Sequence, residues 1–365
     1  MAPYYALRFR LFMRPHFPVR VAFTLLLALA AAQLCLWLRT PLPWMIGPLL
    51  ATATASMLGV PTESWGPLRN AGQWVIGTAL GLYFTPQVTA LVASLWWVIA
   101  LGVAWALGLG LGFGGWLHRV HAPRLAGLGA HQMRATAYFA GAIGGASEMT
   151  LLAERVQART DLVASAHSLR VLIVTVLIPF AMQWSGQHGI DLTPPGAREV
   201  HATGLVALAL ATGMGAWVLQ RLGRANPWFM GALFVAMGLT MGSVSLSAMP
   251  AWLSNAAQLV IGVSLGVRFT ADFIHTAPRW LGSVALGTLV MIGLCAGFAW
   301  LLSLSTGLHP ATLVLGTSPG GIAEMSITAK VLQLGVPVVT ALQVCRLVAV
   351  LMLVEPIYRW VVARR

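Results

Sequence analysis

The chain is 365 residues long, 58% hydrophobic and only 8% charged, whereas soluble domains carry about 25% charged residues. Its formal net charge of +13 comes from 22 basic and 9 acidic residues. The basic residues sit between apolar runs in ones and twos, apart from Arg8, Arg10, Arg14 and Arg20, which excludes an ordinary soluble domain and argues against a nucleic-acid binder with one basic face.

Residues 70–118, 225–267 and 280–323 hold no Asp, Glu, Lys or Arg. Each stretch is long enough for two bilayer crossings of about 20 residues. They are apolar on every face, unlike the alternating strands of a membrane barrel. The predicted class is an all-α polytopic membrane protein.

In chain order, residues 1–16 form a basic N-terminus, expected in the cytoplasm. Six apolar segments follow, near 21–38, 43–59, 70–91, 93–117, 136–153 and 162–184. Residues 185–200 hold Pro194-Pro195-Gly196 and read as a linker. Six more segments lie near 201–220, 228–246, 255–269, 280–303, 310–330 and 336–358. The first segment has the basic flank and small residues of a signal peptide. It is read as a retained span because it has a counterpart in the second half.

That counterpart belongs to an internal duplication. Pro43-Trp44-Met45-Ile46-Gly47 recurs as Pro227-Trp228-Phe229-Met230-Gly231. Asn70-Ala71-Gly72-Gln73 recurs as Asn255-Ala256-Ala257-Gln258. Gly144-Gly145-Ala146-Ser147-Glu148-Met149 matches Gly320-Gly321-Ile322-Ala323-Glu324-Met325, and Arg170 matches Arg346 at the same shift of 176. Residues 17–184 and 201–361 are thus read as two copies of one membrane unit. If all twelve segments cross, cytoplasmic flanks hold 12 basic residues and outer flanks 8. If the fifth segment of each copy is a re-entrant hairpin, the split becomes 17 to 3, and the positive-inside rule selects it. Five crossings per copy then invert the copies. The expectation is two inverted repeats of five transmembrane helices, each with one re-entrant or broken helix hairpin, as in many secondary transporters. Both termini fall in the cytoplasm.

Gly141, Gly144, Gly145, Gly316, Gly320 and Gly321, with Ser318-Pro319, mark the breaks. Four charges lie deep in apolar sequence: Glu148, Arg170, Glu324 and Arg346. Each costs roughly 2.5–3.5 kcal/mol at a bilayer centre, so ion pairs Glu148–Arg170 and Glu324–Arg346 are expected. These four are the candidate substrate- or ion-binding residues. Ser147, Thr150, Thr317, Ser318 and Ser326 offer further ligand oxygens, or bond to helix backbone. Gln73 and Gln258 face a cavity or bond between helices, one turn after Asn70 and Asn255, which are read as helix caps. His118 and His121 read as a solvated pair at the membrane edge. Cys35, Cys295 and Cys345 lie in apolar runs with no disulfide or zinc spacing. No metal, cofactor or catalytic constellation is predicted, and the chain is not read as an enzyme. The expected partners are the lipid bilayer and a small solute, with room for proton or cation coupling and for homo-oligomers, but no nucleic acid.

The paired Pro-Trp and Gly-Gly-x-x-Glu-Met elements, with Gly316-Thr317-Ser318-Pro319 before the second, resemble the bacterial AbrB family of duplicated membrane proteins over essentially the whole chain. That resemblance implies an inner-membrane location. Members are labelled ammonia monooxygenases or regulators of gene expression, and the family looks unrelated to the small DNA-binding regulator of the same name. The chain has no copper-ligand cluster to support a monooxygenase. More distantly, the architecture looks like the bile-acid, auxin and citrate carriers, by analogy of fold alone. A secondary transporter of a small anionic solute is the leading expectation. A membrane regulator or sensor acting indirectly on gene expression is the alternative, with residues 118–134 as its docking surface.

Overall fold

The computed structural model describes residues 17–122, 129–186, 199–271 and 277–362. The basic residues 1–16, the core of the 185–200 linker and residues 123–128 of the 118–134 docking stretch lie outside them. Among the described residues all regular structure is helical. The first copy contributes α1 (Phe17–Trp37), α2 (Pro43–Met57), α3 (Gly66–Gly81), α4 (Pro86–Ser94), α5 (Trp96–His121), α6 (Ala130–Gly141), α7 (Ala146–Arg155) and α8 (Thr160–Trp184). The second contributes α9 (Ala202–Arg221), α10 (Pro227–Met241), α11 (Ala251–Gly266), α12 (Pro278–Thr306), α13 (Pro310–Thr317), α14 (Ile322–Val331) and α15 (Val336–Ile357).

Six of these, α1, α5, α8, α9, α12 and α15, are long and apolar enough to cross a bilayer, which fits a multi-pass membrane protein. The other four expected crossings fall on helices of 15 or 16 residues, α2, α3, α10 and α11. The apolar segment 70–91 is not one straight helix: α3 and α4 meet at 88°. Pro86 opens α4 and Thr85 Oγ1 accepts from Val88 N; the residue before a proline is steered out of helical geometry. Asn70 and Asn255 are not caps, since α3 starts at Gly66 and α11 at Ala251.

Duplication is visible in the backbone. Left-handed residues recur at the repeat spacing: Arg39 with Gly223, Leu42 with Asn226, Gly59 with Ser243, and Gln157 with Gln333. Leu42 and Asn226 share φ 48° immediately before the Pro-Trp elements.

The described helices gather into two compact units, one from residues 17–72 with 252–271 and the other from the described residues of 73–251 and 277–362. In the first, Gly262 lies against Met45 O, where a β-carbon would come within 2.6 Å. Small residues let such helix backbones touch. Arg20 pairs with Glu63, and Ala28, Leu259 and Val263 form a small core. In the second unit the corresponding contact has the copies exchanged: Gly77 lies against Phe229 O, and Trp74 Nε1 donates to Thr212 Oγ1 at 2.9 Å. The second unit also holds α5–α8 and α12–α15. There α5 packs on α6 and α15, while their counterparts α12 pack on α13 and α8. The expectation that His121 is solvated is corrected: it is buried, 2.9 Å from Ser283 Oγ and edge-on to Trp280. An imidazole beside a hydroxyl and an aromatic edge of α12 serves as a helix–helix contact.

Candidate functional site: two broken helices and their arginines

The fifth apolar segment of each copy is broken where the glycines predict. α6 stops at Gly141 and α7 starts at Ala146; α13 stops at Thr317 and α14 starts at Ile322. The arms then return to one another. Gln132 Nε2, near the start of α6, donates to Gln157 O beyond the end of α7 at 2.9 Å, and Arg159 N donates to Thr136 Oγ1 at 3.0 Å. In the second copy Gly335 N donates to Thr312 Oγ1 at 3.3 Å. Thr136 and Thr312 are equivalent at shift 176, as are Arg159 and Gly335. Each pair is therefore a helical hairpin closed by the same clasp.

The Gly-Gly-x-x-Glu-Met motif has a steric reading. The second glycine is extended, with φ −67° at Gly145 and −78° at Gly321, so backbone freedom is not what it supplies. It supplies space: a β-carbon at Gly145 would strike Glu148 Oε2, and one at Gly321 would strike Glu324 Oε2. Each carboxylate folds back over the start of its own helix from the third helical position. The positive end of the half-helix dipole favours it there. The first glycine makes room for the methionine: a β-carbon at Gly144 would lie 2.7 Å from Met149 Cε, and one at Gly320 2.8 Å from Met325 Cγ. Met149 and Met325 are fully buried.

The arginines serve the other end of each break. A helix that stops inside a membrane leaves carbonyls without partners. Arg170 Nη2 donates to Ala142 O at 2.8 Å, and Nη1 reaches Gly141 O at 3.4 Å and Ala140 O at 3.5 Å. Arg346 Nη1 donates to Ser318 O, and Nη2 to Gly320 O at 2.7 Å. The expected salt bridges are corrected in this respect: apart from one bond from Arg170 to a histidine side chain, the arginines' hydrogen bonds go to main-chain carbonyls at the negative end of a half-helix, and the glutamates turn to the positive end of the next. Bonds from a charged donor contribute roughly 1.5–3 kcal/mol each, enough to offset the roughly 2.5–3.5 kcal/mol of burying the charge.

Two residues that sequence reasoning passed over complete this arrangement. His167, one turn before Arg170, has Nε2 2.9 Å from Phe139 O and Nδ1 2.7 Å from Arg170 Nη2. Gln343 occupies the equivalent place and donates from Nε2 to Leu315 O at 2.6 Å and Ser318 O at 3.2 Å. Phe139 and Leu315 are equivalent too. Their shared shift of 176 was the available signal, hidden because the side chains differ. Arg170 Nε, Arg346 Nε and Gln343 Oε1 are buried without a protein partner among the described residues.

Of the other candidates, Thr150, Thr317 and Ser318 bond to carbonyls of their own helices, Ala146 O, Leu313 O and Val314 O. Ser326 Oγ accepts from Thr340 Oγ1 at 3.0 Å. Ser147 is exposed beside the first break. Gln73 lies half-buried on α3, and Gln258 is buried on α11 in the other unit; the bonds that organise the breaks involve neither. The two breaks differ in depth. Glu324 is 7% exposed, whereas Glu148 is only half-buried.

The family model described as "Transition state regulatory protein AbrB" matches residues 44–362. A Bacillus subtilis (strain 168) protein named "Uncharacterized protein YhjN" is 26% identical over 346 residues, covering 87% of this chain and 86% of its own length. An Escherichia coli (strain K12) protein named "Putative regulator AbrB" is 26% identical over 331 residues, covering 88% of this chain and 90% of its own length.

Proposed function

The chain belongs to the AbrB family, and on that premise we propose that it is a secondary transporter of the bacterial inner membrane that moves a small anionic solute by alternating access. The observation that carries this reading is the pair of equivalent hairpins, each closed by a threonine clasp and each with a buried arginine at its break. Re-entrant backbone at membrane depth is tolerated where it is buried in protein or lines a watery cavity. Two copies of it, inserted from opposite sides with five crossings apiece and both termini cytoplasmic, provide the two mirror-related openings of a carrier. In this arrangement 17–184 and 201–361 are inverted repeats, and the short helices α2, α3, α10 and α11 complete the ten crossings. The arginines are the groups that meet the solute. Each guanidinium that leaves its carbonyls presents a planar fork suited to a carboxylate.

A second reading, a membrane-embedded regulator without transport, draws on the name of the Escherichia coli relative. Purified protein separates the two. Small mono- and dicarboxylates are screened for thermal stabilisation, and those that stabilise are tested for accumulation in proteoliposomes. Uptake of a stabilising anion is the expected result. Stabilisation with no flux under any ion gradient would leave the regulator.

A further inference from the structure

His167 is fully buried, and both of its ring nitrogens are engaged. Nε2 faces Phe139 O at 2.9 Å, and Nδ1 faces Arg170 Nη2 at 2.7 Å. A carbonyl only accepts and a guanidinium only donates. Nε2 therefore carries the hydrogen, and Nδ1 offers its lone pair. The imidazole is neutral by construction. A second proton on Nδ1 would set N–H against N–H and cation against cation, so protonation of His167 and its bond to Arg170 exclude one another. In the second copy the same place holds Gln343, whose amide donates to Leu315 O as His167 does to Phe139 O. An amide does not titrate. The two hairpins thus differ at one position in the property that a proton-driven cycle needs.

We propose that His167 is the coupling-proton site of this carrier: Nδ1 takes up a proton when Arg170 withdraws from the first break, so that opening of that hairpin and proton binding are one event. The proposal rests on the carrier reading and adds its coupling ion. The proton comes from solvent water and occupies the lone pair that Arg170 held. Arg170 keeps its own charge, and its freed guanidinium is the group a carboxylate solute then meets. Proton and anion would travel together.

Few charges surround the imidazole. On α8 it faces Arg170; α6 presents the Phe139 carbonyl, while neighbouring Tyr138 turns its hydroxyl to Val354 O. α7 and α14 bring Glu148 and Glu324, each folded over its own helix start. Their other charges, Glu154, Arg155 and Lys330, lie at the far ends of those helices. α12 brings Cys295, whose Sγ donates to Thr317 O, and Arg346 of α15 is bound to Ser318 O and Gly320 O.

Linkage fixes the sign. The closed break excludes the proton, and the opened one exposes an imidazole of ordinary pKa near ~6.5. Closure is then complete above that value and weakened as pH falls below it. Between about pH 7.5 and about pH 5 the open population should rise roughly thirtyfold. Hydrogen–deuterium exchange on the full-length protein in lipid nanodiscs reads this without a solute. The amides of Ala142 and Met149, bonded to Tyr138 O and Gly145 O, report the first break; those of Ser318 and Met325, bonded to Val314 O and Gly321 O, report the second. After correction for intrinsic exchange, the first pair should exchange roughly thirtyfold faster at the lower pH, and the second pair should not change. His167→Gln, which installs the residue of the other copy, should flatten the response. Equal behaviour of the two breaks in the wild type would overturn the proposal with no variant needed, and so would a pH response that survives in His167→Gln. Because no flux is measured, a negative outcome here removes the proton site alone. A negative flux result removes the carrier reading and is seen separately.

Discussion

At the scale of single residues, the four charges at the breaks act first at helix ends, and this alters what their replacement should do. Arg170→Ala strands the Ala142 carbonyl and the His167 lone pair. Two charge-assisted bonds at roughly 1.5–3 kcal/mol each put the loss at about 3–6 kcal/mol, a large share of a typical margin of roughly 5–15 kcal/mol. Arg170→Lys keeps the charge but cannot fork across the same acceptors, so denaturant unfolding should place it between wild type and alanine. A lysine variant as unstable as alanine would mean that shape, not charge, holds the break. The glutamates should behave differently. Gln keeps the shape and loses the charge, so Glu148→Gln and Glu324→Gln should change stability by less than about 1 kcal/mol while solute uptake is lost. Full uptake by both variants would reduce the glutamates to caps.

At the scale of elements, the clasp makes a topological statement. In a helix running straight through the break, the roughly 25 residues from Gln132 to Gln157 would span about 37 Å; instead Gln132 Nε2 reaches Gln157 O. Cysteines at 132 and 157 should cross-link in membranes, and single cysteines at 130 and 157 should label from the cytoplasmic side, with those at 309 and 333 labelling from the other. Labelling of 130 and 157 from opposite faces would replace the hairpin with a span. Replacing Thr136 with valine removes the acceptor of the first clasp, costs about 1 kcal/mol, and should slow the 132–157 cross-link. The hairpins were legible in the sequence because glycine pairs and charge placement both depend on them. Other features left weaker traces. The 88° bend between α3 and α4 lies within unbroken hydrophobicity, where Pro86 was the lone cue. Apart from His167, the partners of Arg170 and Arg346 are main-chain carbonyls, which every residue carries, so reasoning from charge sign led to Glu148 and Glu324. His167 and Gln343 share a place but not a chemistry, so the repeat did not single them out.

At the scale of the whole molecule, duplication supplies two equivalent breaks, yet the chain does not bury them equally. Ser326 and Glu324 are buried on the second hairpin, while Thr150 and Glu148 are half-buried and Ser147 is exposed on the first. The sequence differs too, with Glu154 opposite Lys330 and Asp161 opposite Pro337 in the alignment of copies. An alternating-access carrier built this way has two states related by exchange of the copies, and unequal copies make their energies unequal. One state should then dominate at rest, with the first hairpin nearer to solvent. In a background lacking the native cysteines, a cysteine at 150 should label faster than one at 326. A carboxylate that stabilises the protein should slow the first and speed the second. Shifting such an equilibrium from about 1:99 to 99:1 needs roughly 10⁴-fold preference for one state, so a weakly discriminating solute should change both rates by a fewfold in opposite directions. Rates that move together on ligand binding, or do not move at all, would remove the exchange of states on which the carrier depends.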